Sequence, residues 1–258
     1  PTPAAAALVQ SGLAQQVFGF GTYAMWDDLV YGEASAYRTL GQNVQSSLGT
    51  DPTGETEING LAPYWRLALQ HSWGSLYLEV GHYGLWVSAY PGRDQSAGTD
   101  TTSDIAFDSQ YQFFSAQHDV TLLTTWLHEN DDWHASHKLG LTDRGTTVLN
   151  TFNLTGSYLY DKTYGLTVSF FDINGHSDAT LFADSHTGSP DSIGEIFQLD
   201  YLPFNKAGGP AFWPSSSVKL SLQYTLYQQF DGSVSNFDGA GRKASDNNTL
   251  YLEVWIAL

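Results

Sequence analysis

The sequence of 258 residues contains 27 acidic and 10 basic side chains, which gives a formal net charge of -17. A phosphate backbone is bound by a basic surface, so this charge argues against a nucleic-acid partner. The chain contains no cysteine, which excludes disulfides, iron–sulfur clusters and a CxxCH haem attachment within these residues.

Eleven segments alternate apolar and polar side chains with a period of two, the pattern of β-strands that have two different faces. They are, in chain order, residues 17–26, 29–40, 61–72, 75–90, 104–115, 118–136, 147–160, 163–172, 193–203, 217–229 and 248–258. The segment 118–136 is long enough to contain a second strand. No segment predicts a helix.

The last segment has the clearest alternation. Aliphatic side chains occupy every second position from Leu250 to Leu258, whereas Tyr251, Glu253 and Trp255 lie between them. Alternation that continues to the final residue resembles the C-terminal strand of bacterial outer-membrane barrels. The alternative is an ordinary edge strand of a soluble β-domain.

The connections between the predicted segments are alternately short and long. Short links follow the first, third, fifth and seventh segments, and the link at 204–216 is the exception. Short turns at one end and long loops at the other are typical of outer-membrane barrels. The low mean hydropathy of -0.25 agrees with this, because only alternate residues of such a barrel face lipid.

The sequence therefore predicts an all-β fold, a single antiparallel transmembrane β-barrel over residues 1–258. Bacterial single-chain barrels have even strand numbers, so we expect further strands upstream, with this chain as the C-terminal part of a longer one. Residues 1–9 are then predicted to be an outer loop.

Three stretches, residues 11–40, 157–179 and 241–258, together resemble the barrel portion of a proteobacterial outer-membrane family of fused cytochrome–porins. The second of them reads SYLYDKTYGLTVSFFDINGHSDA. The resemblance implies haem c on an upstream CxxCH motif that is absent here, and a role in electron transfer across the outer membrane. It implies no cofactor within this chain.

Two sets of candidate functional residues follow from the alternation. The polar parity predicts side chains that face the lumen, where an excess of acids favours cations; they are Glu33, Arg66, Glu79, Asp108, Gln112, Asp200, Lys219 and Glu253. The alternative is that they solvate a filled interior. Aromatic residues beside short turns predict a girdle at the membrane interface; they are Trp26, Trp73, Tyr160 and Tyr164.

His128 and His134 share a parity if their segment is a strand, which makes them candidates for a metal site. The alternative is a polar rim outside the membrane. No GxSxG nucleophile motif is present, so an enzyme is not predicted.

The predicted function is a porin-like channel or sheath in the bacterial outer membrane that supports electron transfer or passage of small ions. The predicted partners are lipid, a cytochrome or other electron carrier, and further copies of the chain. The alternatives are a passive general porin and a soluble β-rich surface or binding protein.

Overall fold

The structure, a computed structural model, describes residues 5–12, 17–49, 56–204 and 217–257, with residues 11 and 12 described by their backbone alone. Within these residues the fold is all-β, with twelve antiparallel strands in one sheet. The strands are β1 (Val17–Trp26), β2 (Val30–Thr39), β3 (Thr56–Ile58), β4 (Ala62–Trp73), β5 (Leu76–Pro91), β6 (Asp100–Phe114), β7 (His118–Asp132), β8 (Thr146–Tyr160), β9 (Tyr164–Gly175), β10 (Ser192–Tyr201), β11 (Ser217–Gln229) and β12 (Thr249–Ala257).

Five short helical elements accompany the strands. They are a π-helical turn (Leu8–Gly12), α1 (Gln42–Ser47), α2 (His134–Lys138) and two 3₁₀ turns (Gln95–Ala97 and Ala244–Asn247). Within the described residues, no helix has the length and apolar character needed to cross a membrane.

The sheet is a meander in which neighbouring strands of the sequence pair, apart from the short β3, which pairs with β5. The eleven predicted strands are confirmed. The predicted loop at 41–60 was wrong in part, because it contains α1 and β3. The predicted strand 118–136 ends at Asp132, and α2 follows it instead of a second strand.

Short turns join the strands at one end of the sheet. The turns after β1 and β8 hold both central residues at positive φ: 53° and 51° for Asp27 and Asp28, and 52° for both Asp161 and Lys162. Two-residue turns of this kind match the right-handed twist of the flanking strands. These hairpins therefore fix the register of the strands they connect.

The first and last strands, β1 and β12, are not paired with each other in the described residues, so the sheet is open. Closure into a barrel is not shown and stays a prediction. Because the eleven strands of the main path alternate in direction, β1 and β12 run the same way.

The register divides the side chains between two faces of the sheet. One face, called here the outer face, carries rows of large apolar side chains that remain exposed, such as Leu252 at 70 % and Leu199 at 57 %. The opposite face, the inner face, carries most of the charged side chains of the strands. The predicted alternation is therefore confirmed strand by strand.

The buried apolar residues of the strands lie on the inner face. One cluster joins the N-terminal segment (residues 5–12) to Ala106, Leu127 and Leu149 of β6, β7 and β8. A second cluster forms around Leu85 and Val87 of β5, and a third around Phe230 and Phe237 in the loop after β11. The core therefore results from segments that fold onto the inner face.

At the other end of the sheet, hydrogen bonds to two carboxylates connect the long loops. Asp178 accepts backbone N–H groups of Asp143, Arg144, Thr180 and Leu181 at 2.8–3.1 Å. Asp143 in turn accepts the hydroxyl of Thr180 at 2.7 Å. Burial alone would raise the pKa of Asp178, but these four backbone donors outweigh it and hold that pKa below the usual range.

This lowered pKa predicts a pH dependence of the loops. A carboxyl whose pKa is depressed on folding contributes stability above its unfolded pKa of about 3.9, and the contribution is lost as pH falls through the folded value. Hydrogen exchange should therefore show protected amides at residues 143, 144, 180 and 181 near neutral pH and loss of protection on acidification. The Asp178→Asn variant should lack this protection at every pH. Equal protection in variant and wild type would contradict the assignment.

Candidate functional site: the inner face of the sheet

All eight predicted lumen-facing residues lie on the inner face. The pairing places Glu33 beside Arg66, and Asp200 beside Ser221. Glu253 pairs with the same Ser221 from the opposite side. Continuation of the register across the sheet puts the remaining members on this face; they are Glu79, Asp108, Gln112 and Lys219. The structure separates them into two groups.

The first group centres on Arg66 of β4. Its guanidinium contacts Glu79 of β5 at 2.6 Å and forms two hydrogen bonds with Asp108 of β6. The guanidinium carbon also lies 5.6 Å from the ring centre of Tyr83. The hydroxyl of Tyr77 donates to Glu79 at 2.6 Å. One cation thus links three strands and compensates two carboxylates, which leaves less free charge than the sequence alone indicates.

The second group centres on Asp200 of β10. Its carboxylate accepts hydrogen bonds from Ser221 at 2.5 Å and from Gln198 at 3.0 Å, and the ammonium of Lys219 lies 3.8 Å away. Glu33 on β2 is held separately by the hydroxyls of Tyr31 and Ser35. Six charged members of the predicted set are therefore engaged with neighbours on the sheet; they are Glu33, Arg66, Glu79, Asp108, Asp200 and Lys219.

Uncharged polar side chains pair across the inner face of β8 and β9. Thr155 pairs with Ser169 through their hydroxyls at 2.9 Å, and Ser157 with Thr167 at the same distance. A groove of about 460 Å³ runs between this region and the N-terminal segment. It is lined by Ala5, Ala6, Gln10, Thr151, Asn153, Phe171, Ile173, Ile196, Gln223, Thr225, Tyr227, Thr249 and Tyr251.

The N-terminal segment lies across the inner face. The backbone N–H groups of Leu8 and Val9 donate to Glu129 at 2.5 Å and to Asp104 at 2.7 Å. Ala7 is fully buried. The prediction of an outer loop over residues 1–9 was wrong for residues 5–9, because their small side chains and backbone donors fit the inner face; residues 1–4 lie outside the description. The segment therefore covers part of the inner face.

The four predicted girdle residues lie on the outer face beside short turns. Their exposures are 78 % for Trp26, 55 % for Trp73, 42 % for Tyr160 and 58 % for Tyr164. The ring of Tyr164 stacks on that of Tyr201, with centres 5.5 Å apart. We call this set the lower aromatic row.

A second set of rings on the outer face, the upper aromatic row, was missed by the sequence analysis. It contains Trp65, His82, Phe107 and Trp126. The indole of Trp65 donates to His82 at 3.1 Å, and the rings of Phe107 and Trp126 stack with centres 6.1 Å apart. These rings come from four different strands, and they line up only once the strand register is known. The sequence signal that could have found them is an aromatic residue roughly eight positions from each short turn.

The two histidine candidates for a metal site do not come together. His128 lies on β7, where its Nδ1 contacts Asn150 at 2.8 Å, whereas His134 begins α2. Among the described residues, no group of three histidine or carboxylate side chains is arranged to hold a metal ion. The shared parity predicted for these histidines was wrong, because the strand ends before His134.

Comparisons with models of protein families, with curated proteins and with solved structures gave no match to this chain. The resemblance to fused cytochrome–porins therefore stays a prediction.

The contacts of Arg66 predict a loss of stability when its charge is removed. The Arg66→Met variant keeps the apolar stem but leaves Glu79 and Asp108 without their shared cation, and we expect the free energy of unfolding to fall by about 2–3 kcal/mol. Urea unfolding followed by tryptophan fluorescence measures this change. Arg38→Met on the exposed outer face is the matched control, expected to change stability by less than about 0.5 kcal/mol. Equal effects of the two variants would contradict the network.

Proposed function

We propose that this chain forms a porin-like β-barrel in the bacterial outer membrane and provides a channel for small solutes. The observation that carries the proposal is the outer face, where large apolar side chains stay exposed from one aromatic row to the other. Among the described residues, the helical turns that pack on the sheet contact inner-face positions, and no second layer covers the outer face. Soluble proteins rarely expose apolar patches of this extent.

The spacing of the aromatic rows supports immersion in a bilayer. Trp126 pairs with Phe152, and Phe152 lies eight residues from Tyr160 on β8. Eight residues of strand span about 26 Å at ~3.3 Å per residue. For a strand tilted by ~40° this is about 20 Å along the membrane normal, close to the ~25 Å apolar band of outer-membrane barrels.

The placement of charge supports the same proposal. On β4–β9, the described outer-face residues between the two aromatic rows include no Asp, Glu, Lys or Arg. On these strands the charged groups of the outer face, such as Asp132 and Asp172, lie at the upper row or beyond it, toward the long loops. Glu195 of β10 is an exception, because it pairs with Phe170 below the level of that row. A lipid-facing charge at the membrane centre costs about 2–4 kcal/mol for Arg or Lys, so this distribution fits contact with acyl chains.

Closure of the sheet is part of the proposal, because unpaired backbone groups at a strand edge cannot face hydrocarbon. The edge strands β1 and β12 run in the same direction. An all-antiparallel barrel therefore requires an odd number of strands between them in addition to the eleven. The outer-membrane location follows from the barrel class. The electron-transfer role and the cytochrome partner stay predictions, since they depend on a haem-binding motif outside these residues.

Two adjacent residues of β11 test the proposal. Leu222 lies on the outer face and Gln223 on the inner face. Leu222→Lys should reduce insertion of the full-length protein into lipid vesicles, since its cost is about 2–4 kcal/mol near the membrane centre. Gln223→Lys, the matched control, should insert like wild type. Insertion is measured as the heat-modifiable gel band.

Purification distinguishes the soluble alternative. A barrel requires detergent throughout, and it should make vesicles permeable to small solutes. A wild-type protein that stays monomeric in buffer without detergent would overturn the proposal.

A further inference from the structure

The groove on the inner face differs in chemistry from the rest of that face. None of its thirteen lining residues is charged, although the chain carries a net charge of -17. The charged side chains of the inner face lie outside the groove lining, around Arg66 and Asp200 and also at Asp104 and Glu129 under the N-terminal segment. The lining of the groove is thus uncharged, whereas other parts of the same face carry charged groups.

The polar atoms in the groove are hydroxyls and amides. Thr151, Thr225 and Thr249 supply hydroxyls, and Asn153 and Gln223 supply amides that both donate and accept hydrogen bonds. Gln10 from the N-terminal segment adds a third amide, which donates to Thr151 at 3.3 Å. A ligand with several hydroxyl groups can exchange its hydrogen bonds with water for hydrogen bonds with these side chains.

Aromatic rings provide apolar surface beside these polar groups. Phe171 and Tyr227 form one wall, where their rings meet edge to face with centres 5.7 Å apart, and Tyr251 lies at the β12 side. Rings of this kind offer a flat apolar surface, and tyrosine adds a polar tip. The volume of about 460 Å³ lies within the usual range for small-molecule sites, roughly 300–1,000 Å³.

We propose that this groove is the solute path of the channel and that it selects small neutral polyhydroxylated molecules, such as monosaccharides, over ions. This inference rests on the proposed channel function and names the substrate class. An ion in the groove would lose water without gaining an opposite charge, which is costly. Selectivity in pores depends on width, on the hydrogen-bonding groups of the wall and on electrostatic barriers, and the first two here suit a neutral solute.

The test uses swelling of vesicles that contain the full-length protein, with glucose and sodium gluconate as solutes of similar size. Swelling in glucose should be about tenfold faster than in gluconate, because the groove offers the carboxylate no compensating charge. Equal rates in the two solutes would overturn the inference. No swelling in either solute would instead overturn the channel function itself.

Two variants locate the path. Thr225→Trp fills the groove and should slow glucose-driven swelling several-fold, whereas Thr124→Trp places the same side chain on the outer face and should leave the rate unchanged. Should Thr225→Trp fail to fold, Gln223→Glu adds a negative charge at nearly constant volume, and it should raise permeation of glucosamine hydrochloride relative to glucose. Equal rates for the Thr225→Trp and Thr124→Trp proteins, or unchanged relative permeation in Gln223→Glu, would overturn the assignment.

Discussion

The structure depends on one constraint: along the described strands, the outer-face side chains are mostly apolar, and the large ones among them stay exposed. In water, this would expose rows of leucine, valine and aromatic side chains at 40–70 % of their surface, such as Leu252 and Val254 on β12. A hydrocarbon environment removes that cost, because apolar side chains are as favourable there as in a protein core. The proposed membrane location therefore follows from where the apolar side chains lie.

The inner face has three parts with different roles. The Arg66 group ties β4, β5 and β6 together and compensates the charges of Glu79 and Asp108. The N-terminal segment covers the inner side of β6–β8 through buried alanines and two backbone hydrogen bonds to carboxylates. The third part is the groove beside β8–β12, which is lined by uncharged residues. In the proposed channel, this neutral part is the path left for a solute.

The strands and their faces could be predicted because alternation is a local signal. Leu252 and Glu253 are adjacent in the sequence, so their side chains lie on opposite faces of a strand. The position of residues 5–12 could not be predicted, since an alanine-rich stretch has no periodicity and its partners Asp104 and Glu129 are about a hundred residues distant. The same holds for α2, whose first amides are accepted by Asp100, a residue 35 positions upstream of Ala135. β3 has three residues, too few to display a pattern.

The central claim is that the outer face contacts acyl chains, and site-directed spin labelling tests it most directly. The chain has no cysteine, so single cysteines at positions 218 to 226 of β11 can be labelled one at a time in the full-length protein in lipid vesicles. The account predicts an alternation with period two. Labels at 218, 220, 222, 224 and 226 should be accessible to oxygen dissolved in the bilayer, and those at 219, 221, 223 and 225 to a water-soluble nickel chelate. Outer-face labels that are reached by the chelate, or that are shielded from both reagents by protein, would contradict it.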